Sequence, residues 1–307
     1  MITREVVERE VNEAMKSGMY SIADLSMFEQ IDSINISDKL LLHLQYTNDI
    51  MREYLNEIVE LEGKKPGLLE FLKAIKEADV IDNHSLEKEN SFLIGFYSQV
   101  PRETAMERLI RYSKADKDIT SKNFFDLQHA LLYGTLSDGE NNVRKRNDKF
   151  VGRIVNGERI IDYFPIDYKD VKEAANRLVE IYNGRFTNDE FDNVFFQPFL
   201  LHGLIASMQI FDDGNTRLGR VMQHALIWQL INERTEFNFE LPPLYATRAY
   251  YPHRGKYREL IARLVKENDN EAWNKWFDFN LDRVEDSIYA GMENIKILKR
   301  KIEFGRR

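Results

Sequence analysis

Residues 209–220 read Gln-Ile-Phe-Asp-Asp-Gly-Asn-Thr-Arg-Leu-Gly-Arg and lead directly into an apolar run, Val221 to Ile231. Two adjacent carboxylates, a glycine, an amide and two arginines thus share one turn at the start of a helix. A helix beginning at Gly214-Asn215 aims free backbone N–H groups forward, where the macrodipole favours an anion. Arg217 and Arg220 are three residues apart, so both lie in the first turns and can fork onto the same anion. Asp213 is placed to hold a divalent cation beside it. The chemistry predicted is that of a phosphate and metal site.

This segment resembles the signature of the Fic (filamentation induced by cAMP) family, His-x-Phe-x-Asp/Glu-Gly-Asn-Gly/Lys-Arg-x-x-Arg. It matches at Phe211, Asp213, Gly214, Asn215, Arg217 and Arg220, and departs at Thr216 and at Gln209, which stands where the family has its histidine. The resemblance implies transfer of AMP from ATP to a hydroxyl of a target protein. It implies Mg²⁺ at Asp213, an anion hole at Gly214 and Asn215, a phosphate grip at Arg217 and a distal-phosphate contact at Arg220, with Thr216 lining the same turn. The general base would sit at position 209. Glutamine cannot serve there, because its amide does not titrate near neutral pH. His202 and His224 are poor substitutes. His202 precedes Gln209 by two helical turns, and His224 lies two turns beyond Arg217, roughly 10 Å along the axis at about 1.5 Å per residue.

Other features fall in the family's order. Residues 149–164 form two β-rich runs joined by Asn156-Gly157, a strong hairpin signal. The resemblance makes this a flap that docks the target by strand pairing, with Val151, Arg153, Ile154 and Val155 on its first strand. Asp126-Leu-Gln-His129 and its continuation to Gly134 resemble the first core helix, and 168–182 the helix after the flap. Ser91-Phe-Leu-Ile-Gly-Phe96 resembles the surroundings of an inhibitory Ser/Thr-x-x-x-Glu-Gly/Asn motif, with Ser91 matched and Gly95 in the glutamate slot. Base and brake would then be missing together.

Apolar residues recur at helical spacing in 40–60, 68–78 and 103–112, and again in 257–265, 272–279 and 284–301. The polar stretch 113–122 reads as a boundary, with Thr120 or Ser121 capping the next helix. Pro242-Pro243 interrupts the pattern later. The expected architecture is mainly α: an N-terminal helical region over 1–118, a Fic core over 119–245 and closing helices over 246–307.

The chain has 307 residues, 43 basic and 51 acidic, for a net charge of -8, which argues against nucleic-acid partners. Arg144-Lys-Arg146 and Lys299-Arg-Lys301 read as solvated faces, the first near enough to the flap to assist an acidic partner. There are no cysteines, so disulfides and thiol chemistry are excluded. The charged start, Met1 to Glu10, and the lack of any long apolar run predict a cytoplasmic protein without a membrane span. Two functions remain: a nucleotide–Mg²⁺ site, taking ATP or another nucleotide, with impaired AMP transfer to an unidentified target protein; or a non-catalytic module that recognises a partner through the flap and N-terminal region.

Overall fold

The helix that precedes the signature is apolar on every side, which suits only a position at the centre of a helical protein. In the computed structural model, which describes residues 4–62, 104–115, 118–132, 143–155, 158–184 and 193–304, all 13 residues of that helix, Phe196–Met208, are buried. Asn193 Oδ1 accepts from the N–H groups of Phe195 and Phe196, each at 2.8 Å, and so caps its start. Pro198 falls in the first turn, where no backbone donor is needed. The second central helix, Asn215–Arg234, packs along it.

The remaining elements wrap this pair. In chain order they are α1 (Arg4–Lys16), α2 (Ser26–Glu29), α3 (Asp38–Glu62), α4 (Ala105–Lys114) and α5 (Ser121–Leu132). Strands β1 (Val151–Val155) and β2 (Glu158–Tyr163) follow, then α6 (Val171–Tyr182) and the central helices α7 and α8. The chain closes with α9 (Thr247–Tyr250), α10 (Arg254–Glu267) and α11 (Asn270–Phe304). One cluster of buried apolar side chains includes residues from Ala23 to Ile295. The fold is therefore mainly α with one hairpin, as the sequence predicts. No described helix is long and apolar enough to cross a membrane.

Local chemistry explains most boundaries. Thr104 and Glu107 form a capping box at the start of α4. Thr120, one of the two expected caps, exchanges hydrogen bonds with Asn123: the Thr120 N–H donates to Asn123 Oδ1 at 2.9 Å and the Asn123 N–H to Thr120 Oγ1 at 3.3 Å. The hairpin is antiparallel, pairing Gly152 with Ile161 and Val155 with Glu158, with an irregularity between Val151 and Gly152. Its tip, Asn156-Gly157, lies outside the described residues, as do the predicted helix 68–78 and the inhibitory-motif positions Ser91 and Gly95. Past β2 the backbone continues to pair: Phe164 N–H donates to Ser21 O and Ala23 N–H to Phe164 O, both at 2.9 Å.

Two expected helices, 272–279 and 284–301, are one helix of 35 residues, α11. The polar stretch between them does not break it, because no glycine or proline intervenes and Asn280 is satisfied in place. Its Nδ2 donates to Trp276 O at 2.7 Å, and its Oδ1 accepts from the Tyr250 hydroxyl. Along its length α11 packs on α3. Tyr54 of α3 donates to Pro243 O at 2.8 Å, tying the Pro242-Pro243 turn to the same seam.

The central helices meet at Gly219. A Cβ there would lie 2.6 Å from His202 Cδ2 and 3.3 Å from His202 O. Helix propensity alone makes Gly→Ala favourable by about 0.5–1 kcal/mol. The close approach reverses that sign, and Gly219→Ala should destabilise the protein by about 1–3 kcal/mol. Denaturant unfolding checks it; a stabilised variant would show that the helices part easily.

Candidate functional site

The turn between α7 and α8 is built around Asn215. Its side chain, 3% exposed, accepts from Phe211 N–H through Oδ1 at 2.9 Å and donates through Nδ2 to Phe211 O at 2.9 Å. The same Nδ2 reaches Gln209 Oε1 at 3.1 Å. Gln209 closes the clamp by donating from Nε2 to Ala206 O at 2.6 Å. Both ends of the glutamine amide are thus engaged within the turn. The residue adopts left-handed backbone, φ 50 and ψ 51, and ends α7 by donating its N–H to Ile205 O at 3.4 Å. Gly214 is also left-handed, φ 85, directly before α8. A side chain there would be strained and would also press on Leu132, so glycine fits on two counts.

The expected metal ligand and phosphate grip bind each other. Arg217 Nη2 donates to Asp213 Oδ2 at 2.8 Å, and Gly214 N–H donates to Asp213 Oδ1 at 2.6 Å. The Arg217 side chain is 1% exposed and that of Asp213 is 37% exposed, so the carboxylate forms the accessible end of the pair. Thr216 is half-buried on the same turn.

Neighbouring elements hold this turn from both sides. From α5, Gln128 Nε2 donates to Asp213 O at 2.9 Å, while Phe124 and Phe125 stand against the Phe211 ring with centroids 5.5 and 5.9 Å away. From the segment entering β1, Lys149 Nζ donates to Asp212 O and lies 3.6 Å from Asp212 Oδ1. Arg144 departs from its expected solvated position: it is 3% exposed. Its backbone N–H donates to Ile210 O at 3.0 Å, and Nη1 donates to Ile166 O at 2.8 Å and to Gln209 O at 3.2 Å. Burial lowers its pKa, opposed by Asp148, Asp212 and Asp167. Neither Arg144 nor Gln128 carries a local signal of this role, since each acts on backbone remote in sequence.

Arg220 is 0% exposed and belongs to a second cluster. Its Nη1 donates to the Tyr257 hydroxyl at 3.4 Å, and its guanidinium stands 5.8 Å from the centre of that ring. Tyr257 reaches His202 Nε2 at 2.7 Å, His202 Nδ1 lies 2.5 Å from Gln223 Oε1, and Gln223 Nε2 donates to Tyr250 at 3.2 Å. With Nδ1 donating and Nε2 accepting, this network suits neutral His202. His224 is likewise a core histidine, its Nε2 accepting from Ala246 N–H at 3.0 Å. Neither serves as a base for the turn.

The flap strand β1 follows directly from the segment that holds the turn. Val151 is half-buried and Arg153 exposed; Ile154 and Val155 lie on the same strand and pair with Arg159 and Glu158. Tyr163, at the end of β2, donates its hydroxyl to Ala206 O at 3.2 Å, the carbonyl that also accepts from Gln209. A surface cleft of about 510 Å³ opens elsewhere, between the 35–40 segment and the start of α11.

Two central helices, a left-handed turn between them and a hairpin beside it belong to a fold shared with a solved Fic family protein. A solved structure of a Fic family protein from Desulfovibrio desulfuricans is similar to this chain with TM-score 0.57 and 15% identity, covering 85% of this chain and 76% of that one. Fic-1 from C. elegans, solved over residues 134–508, is similar with TM-score 0.44 and 16% identity, covering 81% of this chain and 73% of that one. No protein-family model and no curated protein sequence matches the chain.

The His202 network has a pH signature. Burial, then the charge of Arg220, lowers the His202 pKa well below 6.5. The folded state therefore holds His202 neutral, whereas the unfolded chain takes up a proton near its ordinary value. The unfolded state binds more protons as pH falls through 6.5, so stability from His202 is present above that pH and declines below it. Thermal unfolding from pH 8 to pH 5 should show a smaller loss of Tm in His202→Gln than in the wild type. Equal slopes would assign the acid sensitivity to other groups.

Proposed function

We propose that the turn at 209–220 binds the phosphates of ATP or a related nucleotide with Mg²⁺, and that AMP transfer to a target hydroxyl is impaired. The observation that carries this reading is the burial of Arg217 and Arg220, 1% and 0% exposed, in the first two turns of α8. Cations at the positive end of a helix dipole are unfavourable, and an anion before the helix offsets that cost. The Asp213–Arg217 pair supports the same reading. A magnesium phosphate offers a cation to Asp213 and an anion to Arg217, so it replaces both halves of the ion pair while satisfying each. Backbone N–H groups in the first turn of α8 supply further donors. When bound, Mg²⁺ would neutralise phosphate charge.

Impairment rests on Gln209. Its amide joins Ala206 O to the Asn215 side chain, and an amide does not accept a proton near neutral pH. The flap beside the turn fits an extended target segment, as strand addition requires. A protein that recognises such a segment without transferring anything is the second reading, and it too is favoured by the engaged glutamine.

Calorimetry should detect Mg²⁺-dependent binding of ATP or ADP. Arg217→Ala should weaken it by about 1.5–3 kcal/mol through loss of a charge-assisted phosphate contact. No heat at millimolar nucleotide would leave the partner-binding reading in place. In a labelled-ATP assay, Gln209→His should raise AMP transfer at least about tenfold, since general-base catalysis typically contributes about 10² to 10⁴-fold. A variant that binds nucleotide and transfers nothing would show that the turn no longer supports the chemistry.

A further inference from the structure

A second cluster of ligating side chains lies on the seam between α3 and α11, and it shares no residue with the signature turn. His43 of α3 faces Asp278, Asp282 and Glu285, which follow one another at i, i+4 and i+7 along one stripe of α11. His43 Nδ1 is 2.7 Å from Asp278 Oδ1. His43 Nε2 is 2.9 Å from Glu285 Oε1 and 3.8 Å from Asp282 Oδ1. The side chains of His43 and Glu285 are 17% and 15% exposed, while that of Asp282 is 52% exposed and opens the group to solvent.

The imidazole separates this group from an ordinary run of surface carboxylates. When Nδ1 donates to Asp278, Nε2 faces two carboxylate oxygens, Glu285 Oε1 and Asp282 Oδ1. The donor set suits a metal. Ligand atoms around a tetrahedral zinc with bonds of about 2.0–2.1 Å stand about 3.3 Å apart, between the two Nε2–oxygen distances. One atom each from His43, Asp282 and Glu285 lies within 4.8 Å of the others. The outer contacts are those of bound histidines and carboxylates. Asp278 fixes the imidazole tautomer, and buried Thr47 places Oγ1 2.6 Å from Glu285 Oε1. The nearby cations lie on the outer oxygens: Lys39 Nζ is 3.7 Å from Asp278 Oδ2, and Arg283 Nη2 is 3.8 Å from Asp282 Oδ2.

We propose that His43, Asp282 and Glu285 form a binding site for a divalent transition metal of the zinc class, oriented by Asp278 and Thr47, which staples α3 to α11. Three protein ligands leave a fourth position for water. An imidazole with two carboxylates favours zinc or cobalt over Mg²⁺, so the site differs in ion from the one proposed at Asp213.

The test uses the full chain stripped of metal by a chelator, with ZnCl₂ in calorimetry and Co²⁺ in visible absorption. One equivalent of Zn²⁺ should bind and raise Tm. His43→Ala and Glu285→Gln should each weaken binding at least tenfold, and Asp278→Asn should weaken it by about 10 to 100-fold. Asp213→Asn should leave it unchanged, which separates this site from the nucleotide site. Glu285→Gln preserves shape, so circular dichroism of that variant distinguishes lost ligation from lost folding. Absence of Zn²⁺ binding at millimolar concentration, or binding undiminished in both His43→Ala and Glu285→Gln, would overturn the proposal and leave the cluster a hydrogen-bonded seam between α3 and α11.

Discussion

The Asn215 side chain is the interaction on which the candidate site depends. One amide takes the N–H and the C=O of Phe211 and reaches Gln209, so the turn between the two central helices has a single closed path. The left-handed residues Gln209 and Gly214 stand at its two ends. Three side chains from elsewhere in the fold hold the backbone of the same turn: Arg144 on Gln209 O, Gln128 on Asp213 O and Lys149 on Asp212 O. The start of α8 thereby acquires a defined direction, which is the requirement for a helix N-terminus to act on an anion. Gln209 belongs to the same clamp. An imidazole at this position has to replace a bridge between Ala206 O and Asn215 as well as supply a base.

Electrostatics gives the two arginines different parts. Arg217 pairs with Asp213, whose carboxylate lies at the accessible edge of the turn. Arg220 is set deeper, against Tyr257 and the neutral His202 network that joins α7, α8, α9, α10 and α11. Its side chain is fully buried, so its charge is screened by water far less than that of an exposed arginine. Burial first, and then the charge of Arg220, lowers the His202 pKa and favours the neutral ring.

What was legible in the sequence was whatever local chemistry determines. Asp-Gly-Asn before an apolar run marks a turn into a helix, Asn156-Gly157 marks the hairpin whose strands are seen on either side of it, and Thr120, one of two candidates, marks a cap. The Asp213–Arg217 pair is compatible with i,i+4 spacing, but its closure depends on the turn geometry, which the spacing alone does not give. The buried role of Arg144 is invisible in the sequence because a basic triplet resembles a solvated face until the carbonyls of Ile166 and Gln209 are brought to it from remote segments. The continuity of α11 is hidden for a related reason: the partners of Asn280 include Tyr250, which comes from a different element. The His43 cluster is only half visible in one dimension: Asp278, Asp282 and Glu285 share a helical stripe, but His43 comes to them from 235 residues before Asp278.

The central claim is that the clamped turn presents α8 and Arg217 to a phosphate. A crystal structure of the chain with ADP and Mg²⁺ tests it directly. The account predicts a phosphate oxygen within hydrogen-bond distance of backbone N–H groups at Asn215 or Thr216, Arg217 turned from Asp213 onto that phosphate, and the Asn215 clamp unchanged. An intact Asp213–Arg217 pair, with the nucleotide bound elsewhere or absent at millimolar concentration, would contradict it.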